Sequence, residues 1–220
     1  MTVFMRRLRT PTALTALAVA GCVWLAVWIA DEVAERETLT FDRSILEAIH
    51  HAGGPGLVML ARVLSALGPP VAITIVTIVA ALVLWRAQRR SAAVIFALGS
   101  ALTGAFNTLL KDLFARARPD LWPHPKVPGD SFPSGHAMQC AMVYGLLAIL
   151  AARRWPRARL AILPGAAVLV LAIASSRAVL GVHWPTDLIA GLAIGCVCGC
   201  LTLWAIDAAE RRAARTTATA

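Results

Sequence analysis

Charged residues are scarce in this sequence. They make up 15% of its 220 residues, whereas hydrophobic residues make up 59%. Typical soluble domains contain roughly 25% charged and 45–50% apolar residues. A soluble domain of this length has no core large enough to absorb so much apolar surface, so the composition favours a protein with several membrane-spanning helices.

Patterns that would indicate a disulfide framework or a metal site are also missing. All five cysteines lie in apolar runs, and no spacing of histidine and cysteine is typical of a zinc site. The loops that we assign below to the outer face contain no cluster of carboxylates suited to Mg²⁺. We therefore expect free cysteines, no metal ion and no other cofactor.

Six apolar stretches approach the roughly 20 residues that a membrane-spanning helix requires. The predicted spans are Ala13–Ala30, Val71–Trp85, Ala92–Leu110, Ala137–Ala152, Leu160–Ser175 and Thr186–Ile206. The second and fourth are short and would have to extend or tilt. The first follows a basic N-terminus, as a signal peptide would, but its long apolar run favours a retained anchor. We predict an all-α protein with six transmembrane helices and a single domain over residues 1–220.

The net charge of +9 comes largely from arginines in alternate loops. Because cytoplasmic loops are enriched in basic residues, these arginines predict the orientation of the chain. They are Arg6, Arg7, Arg9, Arg86, Arg89, Arg90, Arg153, Arg154, Arg157, Arg159, Arg211, Arg212 and Arg215. Both termini are then cytoplasmic, and the loops Asp31–Pro70, Lys111–Gly135 and Arg177–Pro185 face outward. We expect a multi-pass membrane protein that contacts lipid and not nucleic acid; its oligomeric state stays open.

The first outer loop contains a second kind of helical pattern. Its apolar residues at positions 41, 45, 46 and 49 form one helical stripe, which predicts a short amphipathic helix lying on the membrane surface. A further piece, Leu57–Leu67, is expected to run back toward the bilayer before Gly68 and two prolines.

Ionisable residues near membrane depth are costly, and here they concentrate in three segments at the outer ends of spans three to six. The first segment runs from Lys111 to Arg118 and Pro119. If the third helix continues outward, Lys111 and Arg118 lie on one face about two turns apart, before the proline ends the helix. Two such cations suit a phosphate or a diphosphate, although cations that only anchor the helix at the interface would look the same.

The second segment, Pro133-Ser134-Gly135-His136, opens the fourth span. A proline, serine and glycine at a helix start leave backbone N–H groups free at the positive end of the helix dipole, which is an anion site. His136 could donate a proton to a group bound there. A simple helix cap with a nearby histidine is the alternative.

The third segment contains Arg177, His183 and Asp187. Pro185 is expected to be the first residue of the sixth helix, so the Asp187 carboxylate can reach back to His183. A histidine held in this way keeps one ring nitrogen free as a nucleophile, and Arg177 offers a planar fork to phosphate oxygens. A core histidine capped by an aspartate would give the same pattern.

The order and spacing of the three segments are more specific than any one of them. Lys111-x6-Arg118-Pro119, Pro133-Ser134-Gly135-His136 and Ser176-Arg177-x5-His183-x3-Asp187 resemble the three signature motifs of the type 2 phosphatidic acid phosphatase superfamily. The resemblance covers residues 111–187 and departs from the pattern at no motif position. The six-span layout is similar to the membrane branch of that superfamily, which lacks the extra domains of its soluble haloperoxidase branch.

The resemblance implies a role for each motif residue. His183 would attack phosphorus and form a phosphohistidine, while Asp187 orients and stabilises the imidazole. His136 would protonate the leaving oxygen and then help water attack the intermediate. The phosphate oxygens would be held by Lys111, Arg118, Arg177, Ser134 and the amide of Gly135. The chemistry implied requires positioning and positive charge rather than a metal.

The resemblance to bacterial members of that superfamily, together with an outward-facing site beside the headgroups, implies a lipid phosphate as substrate. Undecaprenyl diphosphate is favoured, because recycling of that carrier requires an outward-facing phosphatase. Phosphatidate, phosphatidylglycerol phosphate and phosphotransfer to an acceptor other than water are alternatives. A non-enzymatic transporter is a rival from another class, but it would need polar groups near the midplane of several spans, which are here almost purely aliphatic.

Overall fold

A computed structural model of the chain describes residues 13–35, 39–123 and 127–219, and the predicted cytoplasmic cluster Arg6, Arg7 and Arg9 lies outside them. Those ranges contain eight α-helices and no strand. The helices are α1 (Ala13–Ala34), α2 (Leu39–Ala52), α3 (Pro55–Ser65), α4 (Pro70–Arg86), α5 (Arg90–Phe114), α6 (Gly135–Arg154), α7 (Arg159–Val179) and α8 (Pro185–Thr219), with a 3₁₀ turn (Pro156–Ala158) before α7. The prediction of an all-α protein is confirmed.

Five of these helices, α1, α5, α6, α7 and α8, are long and apolar enough to cross a membrane. The predicted span Val71–Trp85 corresponds to α4, which has 17 residues. It reaches spanning length only together with α3, from which it is bent by 46°. The described residues therefore contain five spanning helices, or six spans if the bent pair, whose break carries Gly68 and Pro69, crosses as one.

The last helix is longer than its apolar run predicts. It continues beyond Ile206 to Thr219 because its charged residues have partners on neighbouring helices. Arg153 of α6 donates two hydrogen bonds, 2.6 and 3.1 Å long, to the buried Asp207 carboxylate. Arg89 donates to Glu210 at 2.7 Å.

Helix α8 packs closely on α6 through glycines one turn apart. A Cβ on Gly191 would lie 2.7 Å from the Ser134 carbonyl oxygen, and one on Gly195 would overlap the Met138 carbonyl. Small residues at this spacing let two helix backbones approach each other in a membrane. The contact brings the beginning of α6 against the beginning of α8, and these two ends carry the second and third predicted site segments.

The predicted amphipathic helix is present as α2, but its buried face differs from the predicted stripe. Phe41 is 54% exposed, whereas Leu46 and the polar Asp42 are fully buried. Leu46 packs with Trp184 and Leu188 at the start of α8. The helix is therefore rotated so that Asp42 faces the protein interior, where it is paired as described below.

Candidate active site

The first predicted segment does not continue the third span as a helix. Helix α5 ends at Phe114, and Ala115 adopts a left-handed conformation with φ 41° and ψ 40°. The prediction that Lys111 and Arg118 lie two helical turns apart is wrong. Both side chains instead donate to the carbonyl of Asp130, Arg118 at 3.1 Å. The two cations therefore converge on one place, and helical spacing gives no preference for a diphosphate.

Arg118 is held by backbone carbonyls and points at the third segment. Its guanidinium donates to the carbonyls of Gly129 at 2.9 Å and Val182 at 2.7 Å. Its Nη1 atom also lies 3.1 Å from Nε2 of His183. Because the guanidinium can only donate, Nε2 must present its lone pair in this contact.

His183 lies in the turn between α7 and α8 and is 2% exposed. Its Nδ1 atom is 3.2 Å from Oδ2 of Asp187, as predicted from their four-residue spacing, and Pro185 is the first residue of α8. With Nε2 accepting, Nδ1 carries the ring proton and donates it to Asp187. Burial lowers the pKa of His183 to about 4, so the imidazole is neutral at pH 7, with the lone pair of Nε2 on the side of Arg118.

The turn that carries His183 depends on a glycine. Gly181 has a φ of 69°, in the left-handed region that other residues avoid. A Cβ there would also lie 2.7 Å from Nε1 of Trp122. Trp122 in turn stacks on His50 of α2 with ring centroids 4.1 Å apart, so α2 supports this turn from outside.

The second segment forms the N-terminus of α6, with Ser134 as the capping residue and Gly135 as the first helical residue. The Ser134 hydroxyl accepts from the Ala137 N–H at 3.5 Å, and the backbone N–H of Ser134 donates to the Asp187 carbonyl at 3.0 Å. The predicted helix cap is thus present, next to Asp187. Asn107 of α5 donates to the Pro133 carbonyl at 3.1 Å and fixes this segment.

Arg177 and His136 complete the cluster. Arg177 is 7% exposed, and its Nη1 donates to the Ser65 hydroxyl at 2.6 Å. Its buried Nε has no hydrogen-bond partner among the described residues, which is unusual for a buried donor. His136 lies within electrostatic range of Arg177, His183 and Arg118. The structure therefore brings all predicted site segments to one place.

The sequence interpretation missed a buried network behind Asp187. Arg116 lies between two carboxylates and donates to Asp187 Oδ1 and Asp42 Oδ2, each at 2.6 Å. Ser65 and Asn107 were missed as well. An arginine in a basic segment and an aspartate in an amphipathic helix look like interfacial residues, and no local pattern pairs residues 74 positions apart.

The next feature is the arrangement of potential metal ligands in the described part of the molecule. Among residues 13–35, 39–123 and 127–219, no group of three or more histidine, cysteine, aspartate or glutamate side chains is arranged to hold a metal ion. The charged groups facing His183 Nε2 are cations, which attract an anion and repel a metal.

Fold and site together define a helical membrane protein whose cations lie beside a buried histidine–aspartate pair at the ends of its spans. The particular family follows from sequence comparison. The chain is a member of the PAP2 superfamily, whose sequence profile matches residues 92–211.

Two relatives indicate what such proteins do, and both are named as phosphatases. Phosphatidylglycerophosphatase B from Bacillus subtilis is 35% identical over 92 residues, which are 40% of this chain and 45% of that protein. The match therefore spans less than half of that relative's length. Decaprenylphosphoryl-5-phosphoribose phosphatase from Mycolicibacterium smegmatis is 34% identical over 147 residues, 64% of this chain and 74% of that protein.

A solved structure has the same fold. The crystal structure of the first transmembrane PAP2 type phosphatidylglycerolphosphate phosphatase from Bacillus subtilis superposes with a TM-score of 0.78 at 22% identity. The superposition covers 84% of this chain and 93% of that one. The membrane-protein fold predicted from the apolar runs is thereby confirmed.

Proposed function

We propose that this protein is a metal-independent lipid phosphatase that uses His183 as its nucleophile. The observation that carries the proposal is the geometry of the His183 imidazole. Its Nδ1 proton is directed to Asp187, and its Nε2 lone pair faces the guanidinium of Arg118. A neutral imidazole in this tautomer beside a phosphate-sized group of cations is suited to attack phosphorus.

The reaction proceeds in two steps. Nε2 of His183 forms a bond to phosphorus as the bond from phosphorus to the lipid oxygen breaks, and His136 donates a proton to that oxygen. Water then attacks the phosphohistidine, giving a proton to His136, and the N–P bond breaks to release phosphate. The negative charge on the equatorial oxygens is stabilised by Lys111, Arg118 and Arg177, with Ser134 and the Gly135 amide at the start of α6.

The substrate that we propose is a lipid phosphate of the outer leaflet of the bacterial inner membrane, with both termini of the protein cytoplasmic. The positive-inside distribution of arginines supports this orientation. Undecaprenyl diphosphate is our specific proposal, and its support is the predicted orientation of the protein in the membrane. The spacing of Lys111 and Arg118 gives no support for a diphosphate, because the two side chains converge on one carbonyl. Phosphatidylglycerol phosphate and decaprenylphosphoryl-5-phosphoribose are the competing lipids suggested by the relatives' names.

Phosphate release from a panel of pure lipid phosphates in detergent, with and without EDTA, tests the proposal. The panel contains undecaprenyl diphosphate, phosphatidylglycerol phosphate, phosphatidate and decaprenylphosphoryl-5-phosphoribose. We expect turnover of at least one lipid, unchanged by EDTA. His183→Ala should reduce kcat by about 10⁴-fold or more, and the matched variant His51→Ala, at an exposed position of α2, should not. Wild-type turnover by His183→Ala would exclude the phosphohistidine mechanism.

A further inference from the structure

We propose that Asp42 and Arg116 are positioning residues that orient the Asp187 carboxylate and, through it, the imidazole of His183. This inference rests on the proposed function and adds two residues to it, one of them on the amphipathic helix α2. The hydrogen bonds that carry the inference run from Arg116 to Asp187 and from Thr186 to Asp42. Their effect is therefore expected on the chemical step and not on substrate binding.

The geometry divides the two oxygens of Asp187 between two tasks. Oδ1 accepts from Arg116 Nη1 at 2.6 Å. Oδ2 accepts from the Trp184 N–H at 2.9 Å and lies 3.2 Å from His183 Nδ1. A rotation of the carboxylate would break its charged hydrogen bond to Arg116, so Arg116 fixes the direction in which Oδ2 faces the imidazole.

Arg116 is itself held by Asp42. Its Nη2 donates to Asp42 Oδ2 at 2.6 Å, and the two side chains are 8% and 0% exposed. Thr186 joins the pair by donating its hydroxyl to Asp42 Oδ2 at 2.6 Å and its backbone N–H to Oδ1 at 2.9 Å. Asp42 thus caps the first turn of α8 from another helix, one residue from Asp187.

The burial of this network favours a role beyond stability. Removing both charges of a buried ion pair often leaves a protein equally stable, so stability alone does not account for three buried charges in one chain of hydrogen bonds. Here they support the carboxylate that sets the tautomer of the proposed nucleophile. In a comparable arrangement, the partner of a histidine determines which ring nitrogen keeps the lone pair.

The test uses Asp42→Asn, which keeps the side-chain shape, and Arg116→Lys, which keeps the charge but not the fork. Glu47→Gln is the matched control, because it makes the same acid-to-amide change on α2 in an exposed ion pair with Arg43. Each purified protein is assayed for kcat and KM on the best lipid of the panel and for competitive inhibition by inorganic phosphate. Thermal unfolding in detergent shows whether each variant is folded.

We expect both network variants to lower kcat by about 10–100-fold, the usual effect of a small misplacement of a reacting group. KM and the inhibition constant of phosphate should change less than about twofold, since Lys111, Arg118 and Arg177 are untouched. The control should match the wild type. A merely structural role would lower the unfolding temperature and leave kcat per folded molecule unchanged.

Three results would overturn the inference. The first is wild-type kcat in folded Asp42→Asn or Arg116→Lys. The second is a loss of kcat with an equal loss of phosphate binding. The third is a wild-type protein that hydrolyses no lipid phosphate, which would overturn the proposed function as well, whereas the first two leave that function standing. If Asp42→Asn does not fold, Asp42→Asn/Arg116→Gln removes both charges and is judged by the same kcat criterion.

Discussion

Gly68, in the break between α3 and α4, contacts His136 directly, so substitution with alanine tests the general acid. A Cβ at Gly68 would overlap the His136 ring and lie 3.1 Å from Cγ2 of Ile173. The break cannot easily yield, because Tyr144 donates to the Leu67 carbonyl at 2.7 Å and Arg177 holds Ser65 at 2.6 Å. The His136 ring must therefore move by several tenths of an ångström or more.

The size of the effect should depend on the leaving group. Phosphatidate releases a lipid alcohol, which needs a proton as it departs, so misplacing the acid should lower kcat on phosphatidate about 10²-fold. Nitrophenolate departs without a proton, so kcat for nitrophenyl phosphate should fall only a few-fold by the same reasoning. The assay compares kcat for the two substrates in Gly68→Ala and in wild type. The ratio of the two values cancels differences in the amount of folded protein.

The control for this experiment is Gly56→Ala on α3, where an added Cβ meets nothing within 4 Å. It should leave both activities unchanged. Equal losses for the lipid and the aryl phosphate in Gly68→Ala would refute the reasoning, because a displaced acid must discriminate between them. Wild-type activity on both substrates would mean that His136 does not act where the structure holds it.

Three further predictions concern protonation, helix packing and topology. Burial lowers the pKa of His183 to about 4, with Arg118 and Arg177 adding to the effect and Asp187 opposing it. Protonation removes the lone pair of the nucleophile, and nitrophenolate departs without a proton from His136, so kcat/KM for nitrophenyl phosphate should not decline between pH 7 and about 5 and should fall only near pH 4. A decline centred at 6.5 would contradict the neutral, buried imidazole. Gly195→Ala places a Cβ against the Met138 carbonyl, so it should destabilise the protein by about 1–3 kcal/mol and lower the Tm in detergent. Gly145→Ala on α6, where the added Cβ meets open space, should leave the Tm unchanged. Equal Tm values for the two variants would exclude close packing of α6 on α8. In a cysteine-free background, Asp120→Cys should react with an impermeant maleimide in intact spheroplasts, and Arg154→Cys should react only after lysis. Both positions are exposed, and they lie in loops predicted to face opposite sides of the membrane. The reverse labelling pattern would mean that the site faces the cytoplasm.

Local patterns in the sequence were sufficient for the helices and for one pair of the site. Long apolar runs have only one structure available to them in a bilayer, so α1, α5, α6, α7 and α8 were predictable from length and hydropathy. Pro185 marks a helix start by its own chemistry, and the spacing from His183 to Asp187 then fixes their contact.

What the sequence could not predict depends on contacts between distant residues. The end of α5 at Phe114 is such a case, because the helix stops where Arg118 is bound by the carbonyls of Gly129 and Val182. The burial of Asp42 is another, since its partner Arg116 is 74 positions away. An alternating pattern of apolar and polar residues reports which face of a helix is apolar on average and cannot report one buried ion pair.

The network behind Asp187 also has a consequence for how the protein is made. It joins Asp42, on the second helix of the chain, to Thr186 in the first turn of the last helix, 144 positions later. During synthesis, α2 emerges long before α8, so the Asp42 carboxylate cannot cap α8 until α8 has been made. A nascent chain without α8 has neither this cap nor the carboxylate of Asp187. Under the proposed mechanism, His183 therefore has no carboxylate partner until α8 has been made and inserted.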